Sequence, residues 1–382
     1  MKILQVLPEL NSGGVERGTL EMARHLAQTG HEALVVSNGG RLVAELERNG
    51  GRHITMPVHR KRLSSLFQIR PFRRLLERER PEIVHIRSRV PGWIAWLAWR
   101  RMDPASRPRL VSTVHGFYSV NAYSAVMTRG ERVIAVSESI RDYIIGNYPQ
   151  TDPARIRVIP RGIDAGDYPR GFLPSTPWLQ AWRAEYPQIC GRIVLTLPGR
   201  ITRLKGHEQF LDLVAALRSE GLPVHGLIVG DTHPEKHAYF AELQKKVASK
   251  ALFDSVTFTG HRSDLREIMA VSDAVFSLSV QPESFGRTTL EAIALGKPVI
   301  GWNHGGVAEQ LRALFPQGLV PPGNVPALLR TVLAVLHKTL PAPTIVGRPW
   351  TLAAMCESTA LVWNELLHPV FPSGQSPTLL HT

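Results

Sequence analysis

Short aliphatic and β-branched runs recur along this chain, each followed by a stretch with helical spacing, and that rhythm leaves few folds open. In the first half the runs are Ile3–Leu7, Ala33–Ser37, Ile83–Ile86, Leu110–Val114 and Val133–Val136. They are nearly continuously apolar, as strands buried on both faces of a parallel sheet must be. Amphipathic segments Glu16–Gln28, Leu66–Arg80 and Ser137–Asn147 fall between them. The second half repeats the pattern with Ile193–Leu197, Val224–Val229, Val256–Thr259, Ala274–Leu278 and Pro298–Ile300 as strands. Its helical patterns are Glu208–Leu217, Tyr239–Ala248 and Thr288–Leu295. The pattern predicts an α/β chain with two Rossmann-like doubly wound domains.

At 382 residues, two domains are the default expectation. The stretch Ile159–Pro177 is dense in Pro, Gly and Asp, which places a first domain at residues 1–165 and a second at 166–345. A Pro-rich segment, Pro341–Pro349, precedes an apolar-periodic helix over Thr351–Leu367, so that residues 346–382 form a terminal helix and a poorly ordered tail. The two cysteines, Cys190 and Cys356, have neither the number nor the spacing of a disulfide framework or zinc site, and fit a reducing, cytoplasmic setting. The opening residues read as a strand and loop rather than an export signal. The most apolar stretch, Pro91–Trp99, falls short of the roughly 20 residues that span a bilayer.

The formal charge of +13 is concentrated between Arg41 and Arg109, with Arg60, Lys61, Arg62, Arg70, Arg73, Arg74, Arg78 and Arg80 prominent. No RNP aromatic pair, zinc finger or helix-turn-helix pattern accompanies it, so nucleic acid is not an expected partner. An anionic acceptor, peripheral contact with anionic inner-membrane lipids, and a plain solvated face remain open; near a lipid surface each such cation contributes about 1 kcal/mol. Trp93, Trp96 and Trp99 recur at helical spacing, and core packing is the expected role for that row. His233, His237 and His261 are too scattered for a metal cluster.

Chemistry is concentrated in three loops. Gly13 and Gly14 precede a helix and would let backbone N–H groups approach a phosphate. Arg200 and Lys205 follow the strand Ile193–Leu197, where a diphosphate leaving group would gather negative charge; a guanidinium fork and an ammonium there would lower the barrier. Glu283 and Glu291 lie eight residues apart, the first in a loop and the second about one turn into the following helix. A carboxylate accepts two hydroxyl hydrogen bonds at once, so Glu283 could grip a hexose and Glu291 a ribose, with Ser284, Phe285 and Gly286 at the helix mouth for substrate.

With these residues in place, the chain resembles the retaining glycosyltransferases of group 1, also called glycosyltransferase family 4, which have the GT-B fold. The resemblance rests on the Glu-x7-Glu element (Glu283, Glu291), the GGVE loop, the pair His115–Gly116 and the Ser137–Ser139 segment. Ile159–Asp164, Gly199–Arg200 with Lys205–Gly206, Phe258–Asp264 and Gly296–Gly301 follow in the same order. It implies two domains facing a central cleft, a last helix crossing back to the N-terminal domain, and a phosphate- or sugar-facing Gly14. It further implies His115 near the transferred hexose, Arg200 and Lys205 on the diphosphate, Glu283 on the sugar, Glu291 on the ribose and Arg262 by the base. Neither a metal nor a cofactor is implied beyond the nucleotide sugar donor, UDP-linked as first expectation. Arg161 stands where many relatives carry Asn, which leaves that loop's contacts open.

The subgroup resembled is linked to bacterial lipopolysaccharide core or cell-surface polysaccharide assembly, implying a glycan or lipid-linked acceptor and a site on the inner face of the cytoplasmic membrane. Retention could proceed through a covalent carboxylate adduct or by same-face attack; Glu283 reads as a hydroxyl binder, which favours the second. A sugar-nucleotide epimerase of similar fold and a non-catalytic polyanion scaffold are the alternatives.

Overall fold

The computed structural model describes residues 1–11, 13–232 and 237–368. His233 and the tail beyond His368 lie outside the described residues. The chain divides into two compact units: Met1–Ala135, Ile144–Ile159 and the described residues from Cys356 onward form the first, Val136–Tyr143 and Pro160–Met355 the second.

The first unit is wound from β1 (Lys2–Val6), α1 (Gly14–Gln28), β2 (Glu32–Ser37), α2 (Val43–Arg48), β3 (Arg52–Thr55), α3 (Ile69–Glu79) and β4 (Ile83–Ile86). It continues with α4 (Arg89–Trp99), β5 (Arg109–Val114), β6 (Arg132–Ala135), α5 (Glu138–Asn147), which belongs to the second unit up to Tyr143, and β7 (Ile156–Val158). The strands lie in the order β3-β2-β1-β4-β5-β6-β7 and every neighbouring pair is parallel. The second unit holds α6 (Thr176–Glu185), β8 (Ile193–Pro198), α7 (His207–Ser219), β9 (Val224–Val229), α8 (His237–Ser249), β10 (Val256–Gly260) and α9 (Leu265–Ala270). Then come β11 (Ala274–Ser277), α10 (Arg287–Ala294), β12 (Val299–Trp302), α11 (Gly305–Leu314), β13 (Leu319–Val320) and α12 (Val325–Leu336). Its parallel sheet runs β10-β9-β8-β11-β12-β13.

Every apolar run marked in the sequence coincides with one of these strands. The strands it missed, β3, β7 and β13, each close one edge of a sheet. An edge strand has one neighbour and a wetter face, so β3 can be the polar RHIT and β13 only two residues long.

In both units strand order reverses once, between β1 and β4 and between β8 and β11. At such a reversal the connections leave in opposite directions and open a crevice at the carboxyl ends of the strands, where open parallel sheets take their ligands. Each unit by itself has one such crevice, at the loops after β1 and β4 in the first and at those after β8 and β11 in the second.

The last helix among the described residues, α13 (Leu352–Leu367), begins in the second unit and ends in the first. Its Trp363 is fully buried, with the ring edge-on to buried His85 at 5.7 Å. Glu365 accepts from Arg132 Nη2 at 2.7 Å and also pairs with Arg157, both at sheet strands of the same unit. Thus α13 is fastened by an apolar plug and a two-arginine clamp. Of the tryptophan row, only Trp99 is buried, its indole N–H donating to Pro108 O at 2.7 Å. Trp93 and Trp96 are half-buried, so the expected core role is confined to Trp99. No helix among the described residues is long and apolar enough to cross a membrane.

The hydrogen bonds from Arg132, helped by those from Arg157, hold the Glu365 carboxyl below its ordinary range. A carboxylate depressed by folding stabilises above its unfolded value, and the gain disappears as pH falls through the lower, folded value. Glu365→Gln should therefore cost up to about 1 kcal/mol at neutral pH, about 2–4 °C in melting temperature. The gap from the parent should close in acid, as read by thermal denaturation across pH.

Candidate active site

Lys205 and Glu283 come from loops that are 78 residues apart in sequence, and the second sheet's reversal brings them together. Lys205 Nζ lies 2.8 Å from Glu283 Oε1. The two loops are also stitched through backbone, Val280 N–H donating to Leu204 O at 2.9 Å. Gly206, which caps α7 with φ +75°, makes the approach possible: a Cβ there would sit 1.9 Å from Leu278 O. Any side chain would push the β8 loop off the end of β11, and the ammonium would go with it.

Around Glu283 the polar shell is nearly complete. The Ser279 hydroxyl donates to the same oxygen, Oε1. His304 Nε2–H in turn donates to Ser279 O at 2.8 Å, and Gly306 N–H donates to Glu283 O at 2.8 Å. Gly305 and Gly306 open α11 so close to this loop that a Cβ on Gly305 would lie 2.6 Å from Glu283 O. Burial by itself would push the Glu283 carboxyl up; the Lys205 ammonium, the Ser279 hydroxyl and His304 together hold it below its ordinary range. At neutral pH the site thus holds an ionised carboxylate and an ammonium side by side.

Gly286 caps α10 in the left-handed region at φ +87°, and no side chain caps that helix. Phe285 is buried, its carbonyl accepting from Gln310 Nε2 at 2.5 Å, which fixes the helix mouth next to Ser284. Glu291 sits in the second turn of α10, buried, with Arg287 Nε 3.4 Å from its carboxylate. That arginine was not singled out in the sequence; its i,i+4 spacing to Glu291 was the available signal. Arg200, at the start of the loop after β8, is exposed and has no ion-pair partner among the described residues. Its neighbour Arg203 is bound to Glu242 instead.

Arg262 belongs to a separate network. It follows the edge strand β10 and pairs with Asp264 at 2.8 Å and Glu185 at 3.0 Å, over the Trp182 ring. Gly13 caps α1 with φ +147°, and Gly14 begins it with open space where a Cβ would point. His115 follows β5, its backbone N–H donating to the Tyr118 hydroxyl at 3.2 Å. These three belong to the first unit and sit at the carboxyl ends of β1 and β5.

Sequence reasoning missed Ser279, His304 and the Gly305–Gly306 pair. A signal existed: Gly13-Gly14-Val15 after β1 and Gly305-Gly306-Val307 after β12 are the same tripeptide opening a helix. Glu309, one turn into α11, was also passed over. It accepts from the backbone N–H of Glu138 and Ser139 at 3.0 and 2.8 Å, filling the N-terminus of α5.

Comparison with known proteins agrees with this architecture. Residues 12–167 match the family described as Glycosyltransferase Family 4, and residues 180–344 match Glycosyl transferases group 1. A 2-deoxystreptamine glucosyltransferase from Streptomyces kanamyceticus is 32% identical over 42% of this chain and 41% of its own length. The chain spans about half the length of the curated relatives it matches first. A glycosyltransferase structure from Rickettsia africae superposes with a TM-score of 0.83 and 27% identity, over 96% of this chain and 99% of that one. The Anabaena protein HepE, in complex with UDP and glucose, has the same fold at 21% identity, with a TM-score of 0.77 over 94% of this chain and 98% of its own. Two parallel-sheet Rossmann-like units, each matched by a family profile, place this chain among the group 1 glycosyltransferases of GT-B fold.

Proposed function

We propose that this protein transfers a hexosyl or N-acetylhexosaminyl unit from a UDP-linked sugar to an anionic, lipid-linked glycan, with retention at the anomeric carbon. The observation that carries the reading is the meeting of Lys205 and Glu283, 2.8 Å apart, where the second sheet reverses its strand order. A sugar diphosphate needs both: cations for the phosphates and an ionised acceptor for the sugar hydroxyls. HepE's bound UDP and glucose support the same ligand class for this fold.

In the proposed complex Lys205 and the unpaired Arg200 hold the diphosphate, and the helix mouth at Ser284, Phe285 and Gly286 adds backbone N–H groups. Glu283, ionised, accepts from sugar hydroxyls. Glu291 takes the ribose, oriented by Arg287. Arg262 is already neutralised by two carboxylates, so it would frame the base with its planar face rather than its charge. Gly13 and Gly14 at the mouth of α1 and His115 after β5 would serve a phosphate or sugar oxygen in the first unit.

As the bond from the anomeric carbon to the phosphate oxygen breaks, negative charge grows on the diphosphate, and two fixed cations stabilise it without a metal. The acceptor hydroxyl attacks the same face and passes its proton to the departing phosphate oxygen, so bond, charge and proton all balance. Assembly of lipopolysaccharide core or another surface polysaccharide on the cytoplasmic side is the setting we propose.

Four measurements test this. In a thermal-shift panel of nucleotide sugars, UDP-sugars should raise the melting temperature most; a ligand at 100 times its dissociation constant adds about 2.7 kcal/mol. Nucleotide released without any glycan acceptor would point to an epimerase or hydrolase instead. Glu283→Ala should cut turnover by about a hundredfold or more while the UDP-induced melting shift persists. Equal loss of both would remove Glu283 from the sugar. Because Lys205 helps hold the Glu283 carboxyl low, activity should survive into acid and fail only as pH drops through that lowered value. Lys205→Met should move this acid limb of kcat/KM to higher pH; an unmoved limb would mean that another group titrates.

A further inference from the structure

Gln310 is a fully buried amide on α11, and its hydrogen bonds all serve one turn of the second unit. Its Nε2 donates to Phe285 O at 2.5 Å and to Gly286 O at 3.4 Å, while its Oε1 has no partner among the described residues. An amide buried with one end unsatisfied is less stable than an aliphatic chain of the same size. A side chain selected for packing alone would therefore be apolar at this position. The amide is explained by what its donor does.

The turn it serves is the mouth of α10. Gly286 caps that helix at φ +87° with no side-chain hydrogen bond, so no side chain claims the first N–H groups of α10. A trans peptide is a rigid plane whose C=O and N–H point in opposite directions. Phe285 O and Gly286 N–H share one such plane, and Gly286 O and Arg287 N–H share the next. Holding both carbonyls against α11 therefore aims both N–H groups the other way, toward the open end of α10. Glycine alone would not keep them there, since its backbone rotates readily. The face of α11 that carries Gln310 also carries Gly306 and Val307, and it is pressed close behind the turn. A Cβ on Gly306 would lie 2.5 Å from Phe285 Cα, and a Cβ on Gly286 would lie 2.5 Å from Val307 Cγ2.

We propose that Gln310 is a positioning residue for the donor diphosphate. It anchors the carbonyls of Phe285 and Gly286 from behind, so that the N–H groups of Gly286 and Arg287 stand ready for phosphate oxygens, and it does not itself meet the ligand. The inference rests on the donor reading above and deepens it, by naming what prepares the helix mouth for a phosphate.

The test compares UDP with uridine, which has the base and ribose but no phosphate, by calorimetric titration of the full chain. Gln310→Met keeps the length of the side chain and removes its N–H. It should weaken UDP on the order of tenfold and leave uridine within about twofold of the parent. Gln310→Glu provides an independent readout. Its carboxyl, buried with no cation beside it, titrates above the ordinary range; protonated it can donate to Phe285 O, and ionised it faces two carbonyl oxygens. Measured against the parent at each pH, UDP affinity of Gln310→Glu should approach the parent's near about pH 5 and fall as pH rises, whereas that of Gln310→Met should stay flat. Unchanged UDP affinity in Gln310→Met overturns the proposal. So does equal loss of UDP and uridine, which would mean a general packing defect. A flat pH profile for Gln310→Glu would remove the hydrogen bond to Phe285 as the cause, with the same result. A parent chain that binds neither UDP nor any other nucleoside diphosphate fails the donor reading itself, whereas a parent that binds UDP beside an unaffected Gln310→Met fails this inference alone.

Discussion

An ammonium and a carboxylate held together where a parallel sheet reverses its winding is the constraint on which the second unit's chemistry depends. Neither Lys205 nor Glu283 is fixed by its own secondary structure, since both lie in loops. They are fixed by three loops leaving β8, β11 and β12 and locking onto one another. Gly206 fits under Leu278 O, Val280 bonds to Leu204, and Gly306 bonds to Glu283 O. Each of these contacts needs either a backbone with no side chain or a backbone donor aimed across a gap. The glycines are thus a condition of the charge pair. Partial burial then strengthens the pair, and the Ser279 hydroxyl and His304 keep the carboxylate ionised despite its desolvation.

The same physics explains why the chain can afford loops of this kind. Each sheet is a closed packing problem, with fully buried strands such as Val224–Val229 covered by helices on both faces. The stability lies in that core, so the strand ends can be specialised for ligand. In the first unit the sheet is completed from far along the chain: Trp363 against His85 and Glu365 between Arg132 and Arg157. A helix that docks so late in sequence must bring its own recognition, and it brings one apolar and one ionic contact.

Much of the fold was legible before any coordinates. Central strands announce themselves because both faces are dry, so Ile83–Ile86 or Ala274–Ser277 carry almost no polar residue. The edges did not. β3 reads Arg-His-Ile-Thr, and its stability comes from hydrogen bonds to β2 rather than from its own composition. The residues proposed to hold the donor divide in the same way. Glu283 and Glu291 were visible from their spacing at a helix start, and Arg200 and Lys205 from their place after a strand. Ser279 and His304 carry no such mark, because a serine and a histidine become part of a site only through what the neighbouring strand sets beside them. The tryptophan row misled in part: helical spacing is shared by core and surface faces, and only the packing of α4 shows that Trp99 turns inward while Trp93 and Trp96 stay half outside.

The sequence by itself determined the alternation of strand and helix, hence the two parallel sheets, and it marked the loops after particular strands as charged or glycine-rich. Those are local properties, written in period and composition. Which loops meet, which cation neutralises which acid, and which arginine remains free were decided by tertiary structure alone. Lys205 faces Glu283, while Arg203, two residues earlier, is taken by Glu242, and Arg262 is taken by Asp264 and Glu185. The reason is range. Periodicity extends over a turn or a strand, whereas charge pairing is set by distances of a few ångströms between residues that only the order of strands in a sheet brings together.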